Sequence, residues 1–172
     1  MSSSRPPRSV PAARSDAALE SIYEEVMWLL NRPNVTPGQA RGWYTHIRAV
    51  ALRKELRFFT GQVSQAAAAL TGEPLVLEHF KRIQTNLSQL VERHRREALH
   101  DPSEFVALVK DNEQVHIVTR RENYSAMRAK GNYEAAGISL LAWEKLSRPT
   151  RAELWRLMLR GRVANADDYK SA

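Results

Sequence analysis

The chain has no cysteine. That excludes a disulfide framework, a thiolate zinc site and a thiol nucleophile. It also lacks any run of about 18 apolar residues, so no segment reads as a membrane span. Glycine is sparse, seven in 172 residues, and none builds a phosphate-cradling loop or a nucleophile elbow. No two of the five histidines stand at metal-ligand spacing with carboxylates on the same face. Neither a metal nor a cofactor is therefore expected. Residues 1–14 contain no acid and no apolar h-region, which excludes a secretory signal. With Arg5, Arg8, Arg14 and three prolines, this segment reads as a disordered basic arm.

What the chain has in excess is arginine, 20 against six lysines, and a formal charge of +7. Such a balance favours polyanionic partners, either nucleic acid or an acidic protein surface. The length fits one domain that buries roughly 70% of its unfolded surface. With no signal and no span, a cytoplasmic protein is expected.

Hydrophobic periodicity predicts a mainly α fold, a bundle of four to five helices with a small C-terminal two-stranded βαβ element. The bundle is expected over residues 15–110, the βαβ element and a last helix over 111–163, and a polar tail over 164–172. The first helix should run from Ser15 to Leu30, with Leu19, Ile22, Tyr23, Val26, Leu29 and Leu30 in one stripe. Thr36-Pro37-Gly38-Gln39 is a capping box and should open a second helix reaching Phe59. An alanine-rich helix follows near Gln62 to Leu70, and a long one from Leu75 to Leu99. In the long helix Val76, Phe80, Ile83, Leu87 and Leu90 form a seam of coiled-coil type, suited to a homodimer. A short helix should follow Asp101-Pro102-Ser103. Gln114–Thr119 and Ile138–Trp143 read as two strands, paired in parallel through the helix that the Thr119/Glu122 capping box starts. Thr150 and Glu153 suggest a third box.

The best functional lead is the stretch from Arg41 to Phe59, which carries five bases and one acid, with Trp43, Tyr44 and His46 among them. Planar guanidinium groups suit phosphate better than point charges do. The preceding helix holds four acids and no base, so part of this charge should be neutralised within a helical hairpin. Trp43, Ile47 and Val50 share a face, which predicts that Trp43 is a core residue. Arg41, Arg48, Arg53, Arg57, Arg120 and Arg121 are the expected contacts to nucleic-acid backbone. Thr119, Arg120 and Arg121, at a helix N-terminus, form a candidate anion site.

The leading expectation is a non-enzymatic, nucleic-acid-associated accessory protein. The alternative is a helical protein–protein module or homodimer. A second alternative is a metal-independent RNase that uses one Arg/His pair, Arg41 with His46 or Arg95 with His100. Chance supplies such spacings nearly as often in a chain this rich in arginine.

Overall fold

The computed structural model describes residues 12–79, 81 and 83–170, with the side chains of residues 12–14, 53 and 83–85 outside that description. The basic arm expected at 1–14 thus lies outside it as far as residue 11. From Ala12 onward the backbone is already helical.

Helix α1 (Ala12–Leu30) buries most of the predicted stripe, with Leu19, Ile22, Tyr23, Val26 and Leu30 inside and Leu29 half-buried against the core. The Thr36 box forms as expected and starts α2 (Pro37–Trp43). A π turn (Tyr44–Arg48) then widens the helix before α3 (Ala49–Ala51) and, past Leu52, α4 (Arg53–Leu56). The first core collects α1, α2 and Leu56 around α6 (Ile83–Arg96) and α7 (Ser103–Asn112), through Leu87, Val91, Phe105 and Val109.

The described residues are mostly helical, yet a four-stranded mixed sheet runs through them. The expected mainly α bundle with a two-stranded βαβ element is therefore wrong, and the fold is mixed α/β. The strands are β1 (Phe58–Ser64), β2 (Leu75–His79), β3 (Gln114–Thr119) and β4 (Leu140–Ala142), in the order β2-β3-β1-β4. Of these, the sequence reading finds β3 and, less closely, β4. It takes β1 and β2 for helix.

The reason is that both missed strands are fixed by partners far along the chain. β1 runs parallel to β3, pairing Phe58 with Gln114 and Val63 with Ile117. β2 runs antiparallel to β3 over five consecutive pairs, from Leu75–Thr119 to His79–Val115. Between Phe59 and Val63 the β1 register slips, and Gly61 sits there at φ +78°. A bulge with a left-handed glycine cannot continue a helix from α4 into the alanine-rich stretch. That stretch keeps only one turn, α5 (Gln65–Ala68), capped by Ser64. β4 does not pair with β3 in parallel as expected. It lies antiparallel on the other side of β1.

The long helix expected from Leu75 begins only at Ile83, which divides the proposed seam. Val76 is in β2, Leu87 is fully buried in the first core and Leu90 packs against that core. Phe80 and the Ile83 side chain fall outside the described residues.

β3 is buried from Val115 to Thr119, as a central strand covered on both faces should be. One face carries Val115 and Ile117 into a second core with Phe59, Val63, Trp143, Leu154 and Leu159. α9 (Arg148–Leu154) and the π turn Trp155–Leu159 cover it. Ser147, rather than Thr150, caps α9, its hydroxyl accepting from Thr150 N–H. α8 (Arg120–Arg128) lies against β2 and β3.

The predicted polar tail packs down on β1. Asn165 accepts from Phe59 N–H and donates to Phe59 C=O, both at 2.9 Å, next to the bulge. No helix among the described residues is long and apolar enough to cross a membrane.

Candidate nucleic-acid interface

The six expected phosphate contacts do not converge. Arg48 is drawn to α1, its Nε 3.1 Å from Glu25, as the charge opposition of the two helices suggests. Arg57, immediately before β1, turns toward Glu113 at 3.9 Å. Arg41 is half-buried on α2, and the Arg53 side chain is not among those described. Arg120 and Arg121 follow β3, at the other end of the parallel pair from Arg57. Six residues of strand separate those ends, about 20 Å at 3.3 Å per residue.

Around Glu113 the structure gathers groups that the sequence gives no means of connecting. The buried carboxylate takes His79 Nε2 at 2.9 Å and the Tyr44 hydroxyl at 3.4 Å, with Arg57 beyond. Burial, and secondarily the Glu113 charge, push the Tyr44 hydroxyl well above the usual phenol range. A carboxylate-oriented imidazole is a general-base arrangement. Here the same carboxylate also holds Tyr44 of the first core beside two strand ends, so it braces the cores against each other.

The RNase candidates are not organised in this way. Arg95 donates to Glu92 at 2.7 Å and reaches the Leu30 carbonyl, while His46 and His100 are exposed. The histidine with ordered partners is His94, which is buried. Its Nδ1 lies 2.7 Å from the Tyr23 hydroxyl and its Nε2 2.9 Å from Glu104, which also pairs with Arg93. Both ring nitrogens are engaged, so His94 serves packing. Among the described residues no cluster of His, Asp and Glu could hold a metal.

The candidate anion site at the start of α8 is already occupied by the protein. Arg120 N–H donates to the Pro74 carbonyl at 2.8 Å, and Arg121 N–H to Glu73 at 3.3 Å. Glu122 N–H donates to the Thr119 hydroxyl at 3.2 Å. The backbone donors of the first turn are therefore spent.

The outer side of α8 is different. At 100° per residue, Arg120, Arg121, Tyr124, Met127 and Arg128 fall within an arc of about 120°. All five are exposed, Tyr124 to 54%. Ala126 is buried on the opposite side. The only acid in the helix, Glu122, is turned away from this arc. Its Oε2 accepts from Thr119 N–H at 2.9 Å and from the Ser64 hydroxyl at 2.5 Å. The capping box thus removes the one carboxylate that could neutralise the three arginines within their own helix. From outside the helix, Glu73 comes to 4.0 Å from Arg121 Nε, and Arg121 stays 79% exposed. Arg128 donates to Ser125 of its own helix. Periodicity applied to α8 alone could have found this arc and the place of Glu122 on the opposite side, but not the bond from Ser64 at the end of β1 that holds Glu122 there.

A second exposed face corrects the placement of Trp43. The π turn sends Tyr44 into the core, edge-on to Phe105, and leaves Trp43, Ile47 and Val50 outside. Compared with protein families, with curated proteins and with solved structures, the chain matches none.

Proposed function

We propose that the protein is a non-enzymatic, nucleic-acid-associated accessory protein that holds backbone phosphates on the outer face of α8. The observation that carries this reading is the arc, free of any acid from its own helix, in which Arg120, Arg121 and Arg128 surround an exposed Tyr124. The three guanidinium groups are spread along a rise of about 12 Å, enough to meet two or three successive phosphates. Guanidinium groups donate in pairs to phosphate oxygens, and a tyrosine among them adds a flat ring and a hydroxyl without adding charge. The arrangement reads charge and spacing, so it positions the protein on a backbone without selecting a sequence. Arg48 and Arg57, held by Glu25 and Glu113, have no part in it. The absence of cysteine fits a reducing, cytoplasmic setting for such a role.

The test is fluorescence polarisation with a labelled 20-base-pair duplex and a 20-nucleotide single strand, each measured across a salt series. On duplex, log K should fall against log salt with a slope of about −2 to −3, from about 0.9 per phosphate held. No binding at low salt, or a flat response, rejects the reading.

A further inference from the structure

Tyr124 is set apart from the other tyrosines of the chain. Tyr23, Tyr44, Tyr133 and Tyr169 each turn their hydroxyl to an acceptor inside the fold, on Leu99, Glu113, Glu78 and Phe59 in turn. Tyr124 is 54% exposed and has no hydrogen-bond, ring or cation partner among the described residues.

The residues four and three before it are Arg120 and Arg121, and those three and four after it are Met127 and Arg128. These are the helical positions that lie against a side chain, so Tyr124 stands at the middle of the arc. The guanidinium groups do not cover its ring. Arg128 turns to Ser125, and Arg121 comes to Glu73. Met127 is also 54% exposed. Helical side chains lean toward the N-terminus, which brings Met127 back over the turn that holds Tyr124. The arc thus presents an uncovered ring and a thioether among three cations. Phosphate alone would take the arginines and leave the ring and Met127 in water.

The group that covers them has to be flat, apolar on its faces and attached to the phosphates. In a duplex the base faces are stacked on one another, and only base edges are reached, within the grooves. A single strand carries the same phosphates with bases free to turn out onto an aromatic ring. Resting on the phosphate-binding reading of α8, we infer that this face takes a single strand in preference to a duplex. One base lies on the Tyr124 ring with its edge on Met127, and the phosphates on either side of it meet Arg120, Arg121 and Arg128. The ligand is a phosphodiester chain with unpaired bases, DNA or RNA. Every base has a flat face, so the contact adds affinity without reading sequence.

Fluorescence polarisation at one salt concentration tests this with labelled 20-nucleotide strands of thymidine, of uridine and of abasic sites, and with a 20-base-pair duplex. The thymidine and uridine strands should each bind about tenfold more tightly than the abasic strand, which has the phosphates and no bases. A gain in one of them alone supports the inference and names DNA or RNA as the source. The strand that gains should also bind more tightly than the duplex, by about threefold or more. Tyr124→Ala should remove most of the gain over the abasic strand, and Tyr124→Phe, which keeps the ring, should retain it. The position is exposed, and unchanged circular dichroism would show that both variants fold. Equal binding of all three strands, a duplex that binds as tightly as the better strand, or a Tyr124→Ala variant that keeps the gain overturns the inference. A polyglutamate peptide that matches the better strand and is lost in Tyr124→Ala assigns the ring to a protein partner and also overturns it. The Arg120→Gln/Arg121→Gln/Arg128→Gln variant separates this inference from the reading beneath it. If that variant weakens all three strands, and the wild type binds them equally, the stacking inference fails alone. If it weakens none of them, the phosphate-binding reading fails as well.

Discussion

The Ser64 hydroxyl donates to Glu122 Oε2 at 2.5 Å, tying the end of β1 to the first turn of α8. The two residues are each the hinge of a cap. Ser64 also accepts from Ala67 N–H at the start of α5, and Glu122 closes the capping box with Thr119. Neighbouring parallel strands therefore end in linked caps, and the link keeps the Glu122 carboxylate off the helix surface.

This relationship separates stability from binding. Glu122→Gln weakens two charge-assisted hydrogen bonds and should cost about 1–2 kcal/mol of stability in denaturant unfolding. It should change duplex affinity by less than about threefold, since the lost charge faces inward. Tyr124→Glu places a carboxylate in the centre of the arginine arc. It should leave stability nearly unchanged and reduce duplex affinity by about tenfold or more.

His116 supplies a pH dependence. It is buried on β3 opposite Glu78, its ring 5.5 Å from Tyr133, and burial lowers its pKa from 6.5 to about 4. The folded chain binds fewer protons here than the unfolded chain between those two values. Its contribution is complete above pH 6.5, falls as the pH drops toward about 4, and then levels off. The full loss is about 3 kcal/mol at 1.36 kcal/mol per unit. Urea unfolding of the wild type and His116→Phe across this range checks the sign. The variant should show a shallower slope between pH 6.5 and 4.

Gly61 gives the sharpest test of the β1 bulge. Its φ of +78° is strained for any residue with a side chain, and an added Cβ would stand 3.3 Å from the Tyr169 hydroxyl. Gly61→Ala should therefore destabilise by about 1–3 kcal/mol. Combining it with Tyr169→Phe should recover only part of the loss, because the backbone term remains. Full recovery would assign the cost to the tyrosine alone.

The sequence made legible those elements whose signals are local. The Thr36 and Thr119 boxes both form, the apolar stripe of α1 is the one buried, and β3 is a strand where its β-branched run says so. What stayed hidden is non-local. Val76 fits a helical seam as well as a strand, and only its pairing with Val118 decides between them. The stretch around Gly61 reads as the junction of two helices, one reaching Phe59 and one from Gln62, until β3 lies alongside. Trp43 was expected inside because its face is apolar, but at the π turn it is Tyr44 that enters the core, and Trp43 stays outside.

The interface shows the same division. Arg120 and Arg121 were legible as a basic pair beside a capping box, and Arg128 follows from helical spacing. The pairing of part of the Arg41–Arg57 charge with the acids of α1 was legible as well, and Arg48 meets Glu25, whereas the turn of Arg57 toward Glu113 was not, since it depends on a residue at the end of α7.

The most direct test is the salt dependence of duplex binding by the Arg120→Gln/Arg121→Gln/Arg128→Gln variant, set beside the wild type. If α8 holds the phosphates, the log–log slope should shrink by about 2 to 3, from 0.9 per contact removed, and the variant should bind barely at all at 150 mM salt. A variant with the wild-type slope and affinity would contradict the account.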